Sequence, residues 1–249
     1  MELNHIAIFA AAAVPYALLP AKWRAWAIFA VSVIAIYWLQ PTLDVRWLDY
    51  SLPTVTLVIT GVCWWLTRDR GTPEKPVPLA RENVIALATM IVIALVLTIP
   101  RYLDLPPELA ITSRPPPVET VVIGLALALL VGFGTGRLRT RMAIWLAIAV
   151  IVILLAVLKT QPLTAALASL LRTQTGQDPA LAKASDLGWL GFSYVAFRLI
   201  HTLRDRQMGI LPALTLREYV TYVIFFPAYT SGPIDRAENF TPSFKPLQH

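Results

Sequence analysis

The sequence predicts an all-α fold, a polytopic bundle of about seven or eight transmembrane helices. Hydrophobic residues make up 57% of the 249-residue chain, charged residues make up 14%, and the mean hydropathy is +0.62. Water-soluble domains usually contain about 45–50% apolar residues. The apolar residues here also form stretches of membrane-crossing length, for which a helix needs roughly 20 residues. We therefore expect a multi-pass protein of the cell membrane, in contact with the lipid bilayer.

The predicted spans follow one another along the whole chain, in the order 6–20, 23–40, 51–67, 83–100, 118–136, 142–159, 187–203 and 217–231. Proline-rich loops at 71–78 and 105–117 separate spans, because proline lacks the backbone N–H that a continuing helix requires. No change of composition marks a soluble domain, so residues 1–249 are predicted to form a single membrane domain. The segment 162–172 is too short to span and is predicted to be a short helix, either along the outer surface or packed on the bundle.

The distribution of Lys and Arg predicts the orientation of the chain, because cytoplasmic loops carry the excess of these residues. With the N-terminus outside, the inside loops hold Lys22, Arg24, Arg68, Arg70, Lys75, Arg81, Arg137, Arg139, Arg141, Arg204, Arg206 and Arg217. The outside loops hold only Arg46, Arg101, Arg114, Lys159, Arg172, Lys183, Arg236 and Lys245. We expect the N-terminus outside, and the scattered basic residues do not predict a nucleic-acid partner.

Residues 187–240 differ from the rest because they place charge and helix breakers inside apolar segments. A Gly-Phe-Ser-Tyr motif at 191–194 leads to Phe-Arg at 197–198. Phe-Phe-Pro at 225–227 then precedes Ser-Gly-Pro-Ile-Asp-Arg at 231–236. These two linked motifs resemble the signature region of the membrane-bound O-acyltransferase (MBOAT) family, close to the bacterial branch that acylates cell-surface polymers.

The resemblance implies an acyltransferase in which a funnel of helices brings an acyl thioester from one side to a hydroxyl acceptor from the other. The thioester, an acyl-CoA or acyl-carrier protein, is a co-substrate and not a bound cofactor, and the acceptor is a polysaccharide or lipid. A histidine takes the proton of the hydroxyl as it attacks the thioester carbonyl. In the family this histidine lies beyond the Gly-Pro-Ile-Asp-Arg motif. The helices of 1–186 and the signature region 187–240 are therefore expected to lack a C-terminal part, which a downstream half supplies.

Residues three, four and seven apart share a helix face, which predicts a stripe along the seventh span. The members of the stripe are Tyr194, Phe197, Arg198, His201 and Asp205. A guanidinium at mid-membrane costs about 2.5–3.5 kcal/mol on insertion scales. We expect Arg198 to face protein, water or an anion, or else to extend to the headgroups from a position near the helix end. The resemblance implies that it shapes the funnel or steers the donor.

His201 is a candidate base within this chain, although the resemblance implies none here. Asp205 lies four residues later, so its carboxylate is placed to orient the imidazole, which is half of a general-base arrangement. The alternative is a hydrogen-bonded histidine near the cytoplasmic end of the helix.

Proline and glycine interrupt the eighth predicted span, and broken backbone at membrane depth is tolerated where it is buried in protein or lines a wet cavity. The candidates for the cavity wall are Tyr229, Thr230, Ser231, Asp235 and Arg236, and the helix breakers Pro227, Gly232 and Pro233 are further candidates for the funnel lining. The alternative is a helix end at the interface, with Asp235 and Arg236 forming a structural pair.

Two other functions remain open at this point. Charge within the membrane and broken helices are also typical of transporter components. A non-catalytic half-protein or scaffold that supplies helices to a partner has the same composition. The sequence has no phosphate loop of the Walker type and no Cys or His pair at zinc spacing, so no metal site is predicted.

Overall fold

The computed structural model describes residues 16, 18–69, 71–72, 75–76, 78–103, 115–135, 140–230, 232 and 236–244. Regular structure in these residues is almost entirely helical, in agreement with the predicted class. One small antiparallel hairpin, β1 (Gly71–Thr72) with β2 (Lys75–Pro76), was not predicted. The first predicted span, 6–20, lies almost wholly outside the described residues.

The helices run in chain order from the first described segment to the last. They are α1 (Ala21–Trp38), α2 (Leu48–Thr67), α3 (Arg81–Val96), α4 (Val118–Thr135), α5 (Thr140–Lys159), α6 (Gln161–Gln174), α7 (Phe192–Met208), α8 (Leu216–Ile224) and α9 (Ala237–Phe244). Short 3-10 turns lie at Ile99–Arg101, Pro179–Leu181, Ala184–Leu187 and Phe226–Ala228.

Among the described residues, three stretches are long and apolar enough to cross a membrane, judged by length and composition: Leu48–Thr67, Arg81–Arg101 and Arg141–Lys159. A shorter apolar helix covers Val118–Gly132. These four stretches agree with the predicted spans to within a few residues.

Hydroxyl groups along α2 show how a membrane-length helix accommodates polar side chains. The hydroxyls of Thr56, Thr60 and Thr67 donate to the carbonyl oxygens of residues four positions earlier, at 3.0, 2.7 and 2.9 Å. Each buried hydroxyl is therefore satisfied within its own helix.

The last two predicted spans differ from the helices that form. Instead of 187–203, α7 occupies Phe192–Met208, because Gly191 and Gly209 take left-handed backbone angles, φ 69° and φ 74°, at its two ends. The prediction of a span over 217–231 is wrong. There α8 has nine residues and is about 14 Å long, which is too short for a hydrocarbon core of about 30 Å.

The short helix α8 lies in the middle of the bundle, in contact with α1, α2, α3, α7 and α9. All of its residues except Glu218 are buried. Its start is fixed by a capping box, in which Thr215 Oγ1 accepts from the Glu218 N–H and Glu218 Oε2 accepts from the Thr215 N–H. Protein surrounds α8, so this helix is buried without having the length of a membrane span.

One end of the bundle collects basic side chains, and we call it the basic end. It is formed by the C-terminal ends of α2 and α7 and the starts of α3 and α8. Arg206 donates to the Arg68 carbonyl oxygen at 3.4 Å, and Arg217 pairs with Glu82 at 2.8 Å. Trp64 Nε1 donates to the Leu214 carbonyl oxygen at 3.0 Å. These contacts hold the segment before α8 against α2 and α3.

At the opposite end, residues 160–190 form a cap that packs on the loop 40–47. Gln40 Nε2 donates to the Gly188 carbonyl oxygen at 2.7 Å. Within this cap, α6 contacts the 3-10 turns that follow it, with Thr164, Ala168 and Arg172 as its buried face. This short helix therefore packs on the protein through this face, while Leu163 and Leu170 on its predicted apolar face are exposed.

A buried ion pair holds the cap together. Arg172 Nε donates to Asp186 Oδ2 at 2.7 Å, and the Lys183 N–H donates to the same oxygen at 3.2 Å. Burial opposes ionisation of Asp186, but these hydrogen bonds and the positive charges of Arg172 and Lys183 outweigh it and hold the pKa of the carboxyl below its usual range. The pair thus contributes stability at neutral pH that is lost as the pH falls through the lowered pKa.

We predict that Asp186→Asn lowers the unfolding temperature at pH 7 by several degrees, because it leaves the Arg172 charge buried without its partner. The double variant Arg172→Met with Asp186→Leu recovers part of the loss, since it removes both buried charges. Thermal unfolding in detergent micelles measures this, with the exposed Glu119→Gln as control. The difference in unfolding temperature between wild type and Asp186→Asn narrows below about pH 4, because the carboxyl of Asp186 then becomes protonated in the wild type. A difference in unfolding temperature that stays constant below about pH 4 would contradict the lowered pKa of Asp186.

Candidate functional site

Two glycines, Gly191 in the first motif and Gly232 in the second, pack closely on the turn at 226–230. At Gly191 a Cβ atom would lie 2.8 Å from Tyr229 Cε1 and 2.8 Å from the Tyr229 carbonyl oxygen, and φ is already +69°. At Gly232 a Cβ atom would overlap Cα and Cβ of Ala228. Both positions therefore need glycine, because any side chain would push the turn at 226–230 away.

Arg198 joins the same two segments from inside the bundle. Its guanidinium donates from Nη1 to the Val223 carbonyl oxygen at 2.9 Å and to the Tyr222 carbonyl oxygen at 3.4 Å, and from Nη2 to the Ala228 carbonyl oxygen at 3.0 Å. Only 3% of the residue is exposed. Arg198 thus faces protein, and the alternative in which it extends to the headgroups does not match its position.

The acceptors of Arg198 are the carbonyls that α8 leaves open at its C-terminal end. The last four carbonyls of any α-helix lack partners within the helix, and this end carries the negative pole of the helix dipole. The planar guanidinium reaches several acceptors at once, which a point-like ammonium does not. Arg198 therefore closes the end of α8 and ties it to the turn Phe226–Ala228.

The sequence did not indicate a second polar contact that lies one turn further along α7. Thr202 Oγ1 and the Tyr219 hydroxyl are 2.7 Å apart, and both residues are fully buried. The available signal was the position of Thr202, four residues after Arg198 on the same helix face. This contact links α7 to α8 one helical turn away from the contacts of Arg198.

His201 and Asp205 do not form the predicted half of a general base. The imidazole Nδ1 is buried and has no hydrogen-bond partner in the part of the chain that the structure describes. Asp205 is buried at the end of α7, where its backbone carbonyl accepts from the N–H groups of Ile210 and Leu211 at 3.0 and 3.2 Å. The spacing was right for an orienting carboxylate, but the expected contact is absent from these described residues.

The other predicted site residues are dispersed. Phe197 is 46% exposed, so it does not share the buried face of Arg198, and Tyr194 is half-buried. Pro227 is exposed in the turn Phe226–Ala228. Arg236 is exposed and lies 3.7 Å from Glu238. The predicted pairing of Arg236 with Asp235, and the positions of Ser231 and Pro233, lie outside the described residues.

Comparison with known proteins finds short stretches of similarity to three enzymes named teichoic acid D-alanyltransferase. The chain is 36% identical to the Streptococcus thermophilus protein over 61 residues and 37% identical to the Lacticaseibacillus rhamnosus protein over 60 residues. It is 34% identical to the Bacillus subtilis protein over 55 residues.

These matches involve 22–24% of this chain and 14–15% of each relative. The chain thus matches about one-seventh of the length of the curated relatives. No family model matches the chain, and no solved structure matches it. The relatives' name indicates a transferase that acts on a cell-surface polymer, and this agrees in class with the activity that the motifs imply.

We predict that Gly191→Ala destabilises the protein more than Gly209→Ala does. Both glycines have left-handed angles at an end of α7, so each alanine costs about 1–2 kcal/mol of backbone strain. Only at position 191 does the new methyl group meet Tyr229, which adds about 1–3 kcal/mol of overpacking. Denaturant unfolding in micelles, followed by circular dichroism, gives the two free energies of unfolding. Equal losses at the two positions would show that Tyr229 does not approach Gly191 closely.

We predict that Arg198→Lys lowers the free energy of unfolding by about 1–3 kcal/mol, because lysine keeps the charge but leaves a buried carbonyl without its donor. The matched control is Arg204→Lys, which changes an exposed arginine on the same helix and should alter stability by less than about 0.5 kcal/mol. The same unfolding assay measures both variants. If Arg198→Lys is as stable as its control, the carbonyl contacts do not hold α8.

Proposed function

We propose that this chain carries the signature region of a membrane-bound O-acyltransferase that transfers an acyl group from a thioester donor to a hydroxyl of a cell-surface polymer. The observation that carries the proposal is the close contact of the two signature segments, in which Gly191 packs on Tyr229 and Arg198 donates to the carbonyls of Val223 and Ala228. The stretches of 34–37% identity to three teichoic acid D-alanyltransferases support the same class of reaction.

The broken backbone after α8 supports a substrate path at this position. The turn Phe226–Ala228 follows directly on a buried helix, and irregular backbone at membrane depth occurs where it is buried in protein or lines a wet cavity. In the proposal, Arg198 is a positioning residue that fixes this backbone and thereby shapes the path. The arrangement in the membrane is proposed to have seven spans, without a span at α8, and the N-terminus outside.

The proposed reaction is attack of the acceptor oxygen on the thioester carbonyl, with the thiol as leaving group. A histidine takes the proton of the hydroxyl, and polar groups stabilise the oxyanion. In the family that the two motifs resemble, this histidine lies beyond the Gly-Pro-Ile-Asp-Arg motif. His201 is the alternative base within this chain, although its buried Nδ1 has no hydrogen-bond partner among the residues that the structure describes.

We predict that deletion of the gene removes an ester-linked acyl group from the cell-envelope polymers of the source organism. Mild alkali releases such groups, and chromatography of the released acids measures them. Complementation with the wild-type gene restores the group, as does Arg204→Lys, whereas Arg198→Lys restores much less because its distorted path slows transfer. Unchanged ester content after deletion contradicts the proposed activity.

A second arm of this experiment locates the base. The purified chain is offered acyl thioesters and a hydroxyl acceptor in detergent, and thiol release and acylated product are measured. We expect no sustained turnover by this chain alone. Turnover that is lost in His201→Ala would instead assign the base to His201.

A further inference from the structure

Two cavities meet beside α2 and α3, and they differ in chemistry. At the basic end, a polar cleft of about 380 Å³ lies between the ends of α2 and α7, the start of α3 and the segment before α8. An apolar groove of about 150 Å³ runs between α2, α3 and α4. Trp64 and Asn83 line both cavities, so the groove begins where the cleft ends.

The polar cleft carries a positive charge at its junction with the groove. Arg68 and Arg206 line it, and Asp69 is the one acidic residue among the described residues of its wall. Arg206 donates to the Arg68 carbonyl oxygen at 3.4 Å, and the Arg68 guanidinium lies 4.2 Å from the centre of the Trp65 ring, which lines the groove. The cleft that contains these two arginines therefore opens beside the start of the apolar groove.

The groove has room for a chain of methylene groups. Its walls include Leu57, Leu87 and Leu129, and two glycines, Gly61 on α2 and Gly132 on α4, face it. A Cβ atom built at either glycine meets no other atom within 4 Å. Both glycines thus border open space and do not serve close helix packing.

We propose that the joined cavities bind one phospholipid of the bilayer, with its phosphate between Arg68 and Arg206 and one acyl chain in the groove. Guanidinium groups bind phosphate through two parallel hydrogen bonds, and basic pockets between transmembrane helices are suited to anionic headgroups. Burial of the chain among apolar side chains supplies the remaining attraction. This site does not depend on the proposed acyl transfer, because Arg198 and the turn Phe226–Ala228 line neither cavity.

The test uses the purified full chain in detergent and phosphatidylglycerol with brominated acyl chains, which quench nearby tryptophan fluorescence. Trp64 and Trp65 line the groove, so binding gives saturable quenching. Arg68→Gln and Arg206→Gln should each weaken binding about fivefold, since each removes one attractive charge. Gly61→Leu and Gly132→Leu should weaken it about tenfold or more by filling the groove.

Matched variants separate the site from general detergent effects. Arg204→Gln removes an exposed arginine that does not line the cleft, and Gly124→Leu adds the same side chain to an open position of α4 outside the groove. Both should bind like wild type. Circular dichroism and size-exclusion elution establish that each variant is folded, and the two leucine variants lie on different helices, so one suffices if the other fails to fold.

Three results would overturn the assignment. The first is unchanged binding in the arginine variants or in the folded leucine variants. The second is a Gly124→Leu variant that weakens lipid binding as much as Gly61→Leu and Gly132→Leu do. The third is displacement of the brominated lipid by an equal concentration of inorganic phosphate, which would make the cleft a site for free phosphate and leave the groove without a role.

Discussion

The hydrogen bonds from Arg198 to the carbonyls of Val223 and Ala228 are the interaction on which the second half of the structure depends. Because α8 has nine residues and ends inside protein, its last carbonyls have neither a following turn nor bulk water as partners. A buried acceptor without a donor costs about 1–3 kcal/mol. An arginine from α7 supplies the donors, and the chain is therefore free to leave the helical path at Phe225 within the bundle.

The same constraint determines the residues around Arg198. Gly191 lies seven residues earlier, two turns or about 10 Å along α7, and thus on the same face. Its contact with Tyr229 fixes how closely the start of α7 approaches the turn, which sets where the guanidinium reaches. Gly232 lets the chain pass close to Ala228 on the other side of that turn. The seven-residue spacing between Gly191 and Arg198 thus places both of their contacts with the second segment on one face of α7.

The long helices were predictable and the short one was not, for a physical reason. The lengths of α2, α3, α4 and α5 follow from apolar stretches bounded by charge and proline. Hydropathy does not distinguish burial in lipid from burial in protein. The sequence therefore predicts one span where α8 and the turn after it form. The partners of Arg198 are backbone carbonyls, which every residue has, and no residue pattern marks them. Helical spacing placed Asp205 near His201 but does not determine whether their side chains meet.

Arg198 differs from Arg68 and Arg206 in the groups that surround its guanidinium. Arg198 directs its guanidinium to backbone carbonyls and is 3% exposed, so of the two roles that the resemblance implies, shaping the path fits its contacts and steering an anionic donor does not. Arg68 and Arg206 instead line an open cleft at the basic end, where an anionic group has access to them. A guanidinium already held by several carbonyls would have to release them to bind a ligand, and the end of α8 would lose its donors. The contacts of Arg198 therefore favour a structural role for this guanidinium over a role as a substrate-binding charge.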